Sequence, residues 1–207
     1  MKKESFISSS RKQLLSFNSA INVLVIVTTF FFSNLSFAQD ITLLEIDGIK
    51  FGDNLTNYAD ETLIKESKVY SYKNDKYSTS RLMSLSKDFE YVEISYDKNY
   101  TIVELTGIVA LANINECNDK KKFYLATYSQ LLNKVEKKES REKHPADKTG
   151  NSLMFGQTYH FEKDDRVQIT CTDWSKKIES EIGYKDSLNI MIVRKNFAVW
   201  KQKNIQH

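Results

Sequence analysis

Glycine and proline are scarce, with six glycines and one proline in 207 residues. That scarcity excludes collagen-like repeats and proline-rich linkers, and it leaves little material for glycine-rich phosphate loops. No G-x-x-x-x-G-K-[ST], G-x-G-x-x-G, G-x-S-x-G or H-E-x-x-H string occurs. A phosphate cradle, a dinucleotide fingerprint, a nucleophile elbow and a zinc-protease helix are therefore without sequence support. Two cysteines and three histidines, widely separated, match no metal-ligand spacing, so neither a metal nor another cofactor is expected. Adjacent acids such as Asp60-Glu61 and Asp164-Asp165 read as helix caps or turn formers, and no EF-hand spacing is present.

An excess of one charge is also missing once the first 38 residues are set apart. That segment carries Lys2, Lys3, Arg11 and Lys12 against a single acid, Glu4. Removing four basic residues from 30 and one acidic residue from 27 leaves 26 of each. A balanced chain lacks the basic field that nucleic acid or an anionic membrane would require.

What is present begins with that segment. A basic start, an apolar run from Ile21 to Phe32 and the small-x-small string Ser36-Phe37-Ala38 form the pattern of a secretory signal peptide, cut after Ala38. The run of about 12 residues is short of the roughly 20 needed to span a bilayer, so no lasting membrane insertion is expected. The expected location is periplasmic or secreted. In an oxidising compartment the pair Cys117 and Cys171 reads as a disulfide closing a loop of 55 residues.

At about 150 residues per domain, residues 39–207 suit a single domain. The pattern predicts a strand over 43–46, a turn at Asp47-Gly48, and a helix over 55–66 capped by Asp53 or Asn54. A short strand over 69–73 and a polar loop over 74–80 follow. A hairpin then joins 89–96 to 100–111. A two-residue loop at Lys98-Asn99 pairs Tyr96 with Thr101 and Val92 with Leu105, and sets Glu93 opposite Glu104. The next segment predicts a helix over 116–138 and an exposed charged loop over 134–148. A second hairpin joins 153–163 to 167–174, with Tyr159 opposite Cys171 and His160 opposite Thr170. That register turns Cys171 inward, toward a helix that starts at Cys117, so the disulfide and the packing require the same arrangement. A last strand covers 187–193, and Phe197, Val199 and Trp200 belong to a final strand or helical turn. The fold class is α+β: antiparallel hairpins form a sheet packed by two helices. The order helix, three strands, helix, three strands suggests two similar αβββ halves, 39–112 and 113–207.

Tyr70, Tyr72, Tyr91, Tyr96 and Tyr100 concentrate in the first hairpin region. Tyrosine brings contact area and a polar tip at low entropic cost, which suits a recognition surface; tyrosines lining a core edge are the competing reading. His160 and Glu162 lie two apart on a strand, so both side chains point to one face and could act as a base–carboxylate pair. His144 reads as a solvated surface residue and His207 as a terminal one. Three functions compete. The first is a non-catalytic binding, inhibitor or immunity-like module for a protein partner in the cell envelope. The second is an envelope-assembly accessory that docks through the charged loop 134–148. The third is a small hydrolase built on His160.

Overall fold

The computed structural model describes residues 40–70, 72–83 and 88–204. The leader pattern of residues 1–38 and His207 lie outside them. Seven antiparallel strands form one sheet: β3 (Tyr77–Met83), β4 (Tyr91–Asp97), β5 (Ile102–Ala110), β6 (Glu136–Lys143), β7 (Leu153–His160), β8 (Arg166–Asp173) and β9 (Ser187–Val193). Their spatial order is β3-β4-β5-β9-β8-β7-β6. A separate two-stranded hairpin, β1 (Glu45–Ile46) and β2 (Ile49–Lys50), turns at Asp47-Gly48, where both residues have positive φ. Five α-helices complete the described chain: α1 (Glu61–Glu66), α2 (Cys117–Thr127), α3 (Ser129–Leu132), α4 (Lys176–Ile182) and α5 (Lys195–Asn204). The architecture is α+β, as the pattern of hairpins and separate helices implied. The second half departs from the αβββ repeat: it supplies four strands, β6–β9, and has α4 inserted before the last.

Alternation along the strands sets two unlike faces. One face buries Val92, Ile94 and Tyr96 of β4, Leu105 and Val109 of β5, Val167, Ile169 and Cys171 of β8, and Leu188, Ile190 and Ile192 of β9. Covering it are the β1–β2 hairpin (Ile46, Ile49), Leu55, Ile64 of α1, Tyr124 of α2 and Leu132 of α3, all in one cluster. Burying a side chain of this size stabilises by about 1.5–3 kcal/mol, so this layer drives the fold. Cys117 opens α2, and a disulfide joins it to Cys171 on that same face, both completely buried. The inward orientation of Cys171 and its helical partner agree with the expectation from sequence.

The other face carries a smaller apolar layer at one end. There Phe197 and Trp200 of α5 pack edge-on against Tyr77, with ring centroids 4.9 and 4.7 Å away. A buried polar chain lies beneath. Tyr72 Oη is 2.7 Å from Thr79 Oγ1, which is 2.8 Å from Ser95 Oγ; Ser95 donates to Glu104 Oε1 at 3.3 Å, and Lys201 Nζ donates to the same oxygen at 2.7 Å. Helix α5 is thus fixed to the sheet by an ion pair and hydroxyls as well as by rings.

Several boundaries differ from the sequence reading, each for a local reason. The single helix over 55–66 is a 3-10 turn, Leu55–Asn57 capped by Asn54, and then α1, capped by Asp60. The strand lies at Tyr77–Met83, and the described residues 69, 70, 72 and 73 belong to no named strand; Lys68 contributes a bridge to Ser80. The long helix stops at Thr127, where Tyr128 leaves helical geometry (φ −92°, ψ 5°), and resumes only for Ser129–Leu132. The charged loop over 134–148 contains instead an edge strand, β6, whose eight residues are all exposed. Its backbone pairs with β7 from Glu136↔His160 to Lys143↔Leu153, and that ladder overrides the low strand propensity of lysine and glutamate.

Both long hairpins form, with shifted registers. Tyr100, in the left-handed region at φ 62°, adds a third residue to the first turn, and a bulge between Ser95 and Tyr96 adds a second shift. Val92 therefore pairs with Gly107, and Glu93 with Thr106. The expected Glu93–Glu104 clash disappears: Glu93 binds Arg81 at 2.7 Å and Glu104 binds Lys201. In the second hairpin Lys163 and Asp164 both have positive φ within a longer turn, so Cys171 pairs with Phe155 and Tyr159 with Val167. The shift is four residues, an even number, so inward and outward faces keep their expected assignment. Gly156 is required by close approach: a Cβ there would lie 2.2 Å from the Ile169 carbonyl oxygen.

Candidate functional site

Outward-facing positions of β5, β9, β8 and β7 line up across the sheet. One row runs Ile108, Asn189, Thr170, Gly156; the next Thr106, Met191, Gln168, Thr158; a third Ala110, Ser187, Thr172, Met154. None of the twelve is ionisable, in a chain with 28% charged residues. Ala110 is exposed, and Ile108, Thr106, Asn189, Met191, Thr170, Gln168 and Met154 are half-buried, so the face reaches solvent. Its amides are already oriented: Asn189 Nδ2 donates to Thr172 Oγ1 at 3.1 Å and Gln168 Nε2 to Thr158 Oγ1 at 3.1 Å. Such a surface loses little side-chain entropy on docking and strips no charge of water.

Charges frame it. On the β4 side, Glu93 accepts from Arg81 and from Tyr70 Oη (3.1 Å), and the Arg81 guanidinium lies 4.3 Å from the Tyr91 ring centroid. Lys138 and Glu142 of β6 lie in register beside Thr158 and Met154. Burial pushes the Tyr70 phenol up, and the Glu93 carboxylate adds to the effect. The Tyr70 hydroxyl therefore keeps its proton and donates at neutral pH.

The five tyrosines singled out by the sequence do not share a surface. Tyr70, Tyr72 and Tyr91 lie on this side of the sheet, with Tyr72 packed 5.0 Å from Trp200. Tyr96 and Tyr100 lie on the opposite side. Tyr96 is buried there, stacked 5.6 Å from Tyr100, whose hydroxyl donates to Glu61. Those two line a cleft of about 220 Å³ with Lys65, Lys68 and Lys98.

His160 and Glu162 are also separated. The strand ends at His160, and Glu162 belongs to the 3-10 turn Glu162–Asp164, exposed. His160 pairs across the sheet with Arg166 rather than Thr170 and faces a cleft of about 220 Å³ lined by Asp164, Arg166 and Lys195. His144 is no free surface residue: its ring lies 4.2 Å from Trp174, its backbone N–H donates to Ser152, and burial pushes its pKa down. Among the described residues, no three His, Cys, Asp or Glu side chains group as metal ligands, and no helix is long and apolar enough to cross a membrane.

Sequence reading passed over the uncharged face itself. Its signal was present in the outward positions Ser187, Asn189, Met191 of one strand and Gln168, Thr170, Thr172 of another, but it emerges only when the strands are set side by side. No protein-family model, curated protein or solved structure matches this chain.

Proposed function

We propose that this chain is an exported, non-catalytic binding module, inhibitor-like or immunity-like in action, that grips a protein partner with the uncharged face of β5, β9, β8 and β7. The leader pattern and the buried disulfide support delivery to an oxidising compartment. The observation that carries the reading is the twelve-position face without a charge, rimmed by Arg81, Glu93, Lys138 and Glu142. Apolar and amide groups at the centre with charges at the margin is the usual anatomy of an interface.

Size decides how much of the rim takes part. Four strands at about 4.8 Å and three rows at about 6.8 Å give a patch of roughly 390 Å². A stable interface takes roughly 800 Å² from each partner. The rim therefore contributes the remainder, and Tyr91, Tyr70 and the exposed Met83 are the side chains placed to supply it. Tyrosine and arginine are frequent interface anchors.

Affinity capture from an extract of the producing cells' envelope tests this. Wild-type protein is expected to retain one protein specifically, and Thr170→Arg and Met191→Lys to release it while melting normally. Retention unchanged by both substitutions overturns the use of this face; recovery of no protein overturns the binding function.

A further inference from the structure

The cleft beside His160 sits where the end of the β7–β8 hairpin meets α5. Three cationic or titratable side chains from three elements converge there: His160 of β7, Arg166 of β8 and Lys195 of α5, with Val199 on the apolar side. Their neutralisation is unequal. Lys195 Nζ is bonded to Asp164, the one carboxylate lining the cleft. Asp165 is committed elsewhere, to Arg194 Nη1 at 2.8 Å and to the Lys195 backbone N–H at 3.0 Å. Glu104, two strands away in the same row as Arg166, is held by Lys201. Glu136 lies beside His160 on the neighbouring strand, on its far side from Arg166, and is exposed. Among the described residues Arg166 makes no salt bridge, whereas Arg81 and Arg194 each have a carboxylate. Its Nε is buried and meets no acceptor. Buried donors without acceptors are rare in folded proteins, and the guanidinium fork matches two oxygens of one anion.

We propose that this cleft is an oxyanion-binding site in which Arg166 and His160 receive a carboxylate or phosphoryl group, with Lys195 as an auxiliary cation. At about 220 Å³ the cleft holds the anionic group and a short substituent against Val199, not a whole cofactor. The site needs no protein partner to be occupied.

Two-dimensional NMR of the isotope-labelled chain tests it, with inorganic phosphate and sodium acetate as probes, at constant ionic strength in chloride. Saturating shifts centred on residues 160, 166 and 195 are expected. Saturation by phosphate alone assigns a phosphoryl ligand; saturation by acetate as well assigns a carboxylate. Arg166→Gln is expected to weaken binding by at least about tenfold, the loss of one charge-assisted hydrogen bond. Asp164→Asn frees Lys195 and is expected to tighten binding severalfold, a gain that misfolding cannot produce. Shifts that rise without saturation, or binding indifferent to both substitutions, overturn the proposal.

Discussion

Lys201 and Glu104 stand 97 residues apart in sequence and 2.7 Å apart in space, and they join α5 to the middle of the sheet. Glu104 is almost fully buried and Lys201 is one-quarter exposed by its side chain. Burial works against the Lys201 charge, but the adjacent carboxylate outweighs it, and the lysine pKa is raised.

Removing only the lysine leaves a buried carboxylate unpaired. Lys201→Met is expected to cost about 3 kcal/mol, the low end for breaking a buried pair, and Lys201→Met with Glu104→Gln less. Urea denaturation of the three proteins checks this. A raised lysine pKa means that the pair's contribution is complete below the unfolded value near ~10.4 and is lost as pH rises through the folded value. The wild-type advantage over Lys201→Met should therefore shrink only in strong alkali. Equal stability of wild type and Lys201→Met at pH 7 would remove the pair's structural role.

The disulfide encloses 55 residues, from a sequence separation of 54. Chain-entropy reasoning gives it about 4 kcal/mol. Cys117→Ala with Cys171→Ala is expected to lower the urea midpoint accordingly. Because both sulfurs are buried, reductant should act on the native protein only as fast as the protein opens. Thiol titration with and without mild denaturant measures that dependence; rapid reduction in native buffer would contradict it.

Acid sensitivity should centre on Asp147. Its Oδ2 accepts from Ser152 Oγ at 2.6 Å and Ser152 N at 2.9 Å, and its Oδ1 from Thr149 Oγ1 at 2.7 Å and Thr149 N at 2.8 Å. Ser152 first, then Thr149, holds the carboxyl well below the usual carboxylate range. A depressed folded pKa stabilises above the unfolded value near ~3.9 and ceases to do so as pH falls through the folded one. Asp147→Asn, whose amide offers one acceptor where the carboxylate offers two, is expected to be less stable than wild type at pH 7. That gap should begin to narrow as the pH falls below about 4 and go on narrowing into strong acid. A gap constant with pH in urea melts would show that the ionised form is not what matters.

The charges of the edge strand β6 should discourage its pairing with a second copy. All eight residues are exposed, and among the described residues no strand covers its outer side in the sheet order. Lysine and glutamate on an open edge discourage pairing with another copy. Lys138→Val with Glu142→Val is expected to change stability by less than about 1 kcal/mol, since both are surface sites. The variant should scatter light as a larger species than wild type at equal concentration. Identical scattering would place the protection elsewhere.

Much of this architecture was readable from residues alone, and the misses have a common cause. Strand β9 and the inward turn of Cys171 follow from apolar alternation against a buried layer, a pattern the sequence displays directly. Strand β6 carries no alternation because both its faces meet solvent, and β3 hides its alternation because its inward positions include Ser78 and Ser80. Hairpin registers slipped where Tyr100, Lys163 and Asp164 adopt left-handed geometry without the glycine that would announce it. The uncharged face was not legible, because its positions meet only when four strands are set side by side; in the cleft beside His160, Arg166 and Lys195 join the histidine only through a turn and a helix that spacing does not reveal.

The placement of β9 between β5 and β8 governs how the molecule can be made. Without Ser187–Val193 the strands β3-β4-β5 and β8-β7-β6 share no ladder, and each set is left with a raw inner margin. The last strand is a keystone. A chain cut before Ser187 should therefore be a substrate for proteases rather than a smaller version of the same protein.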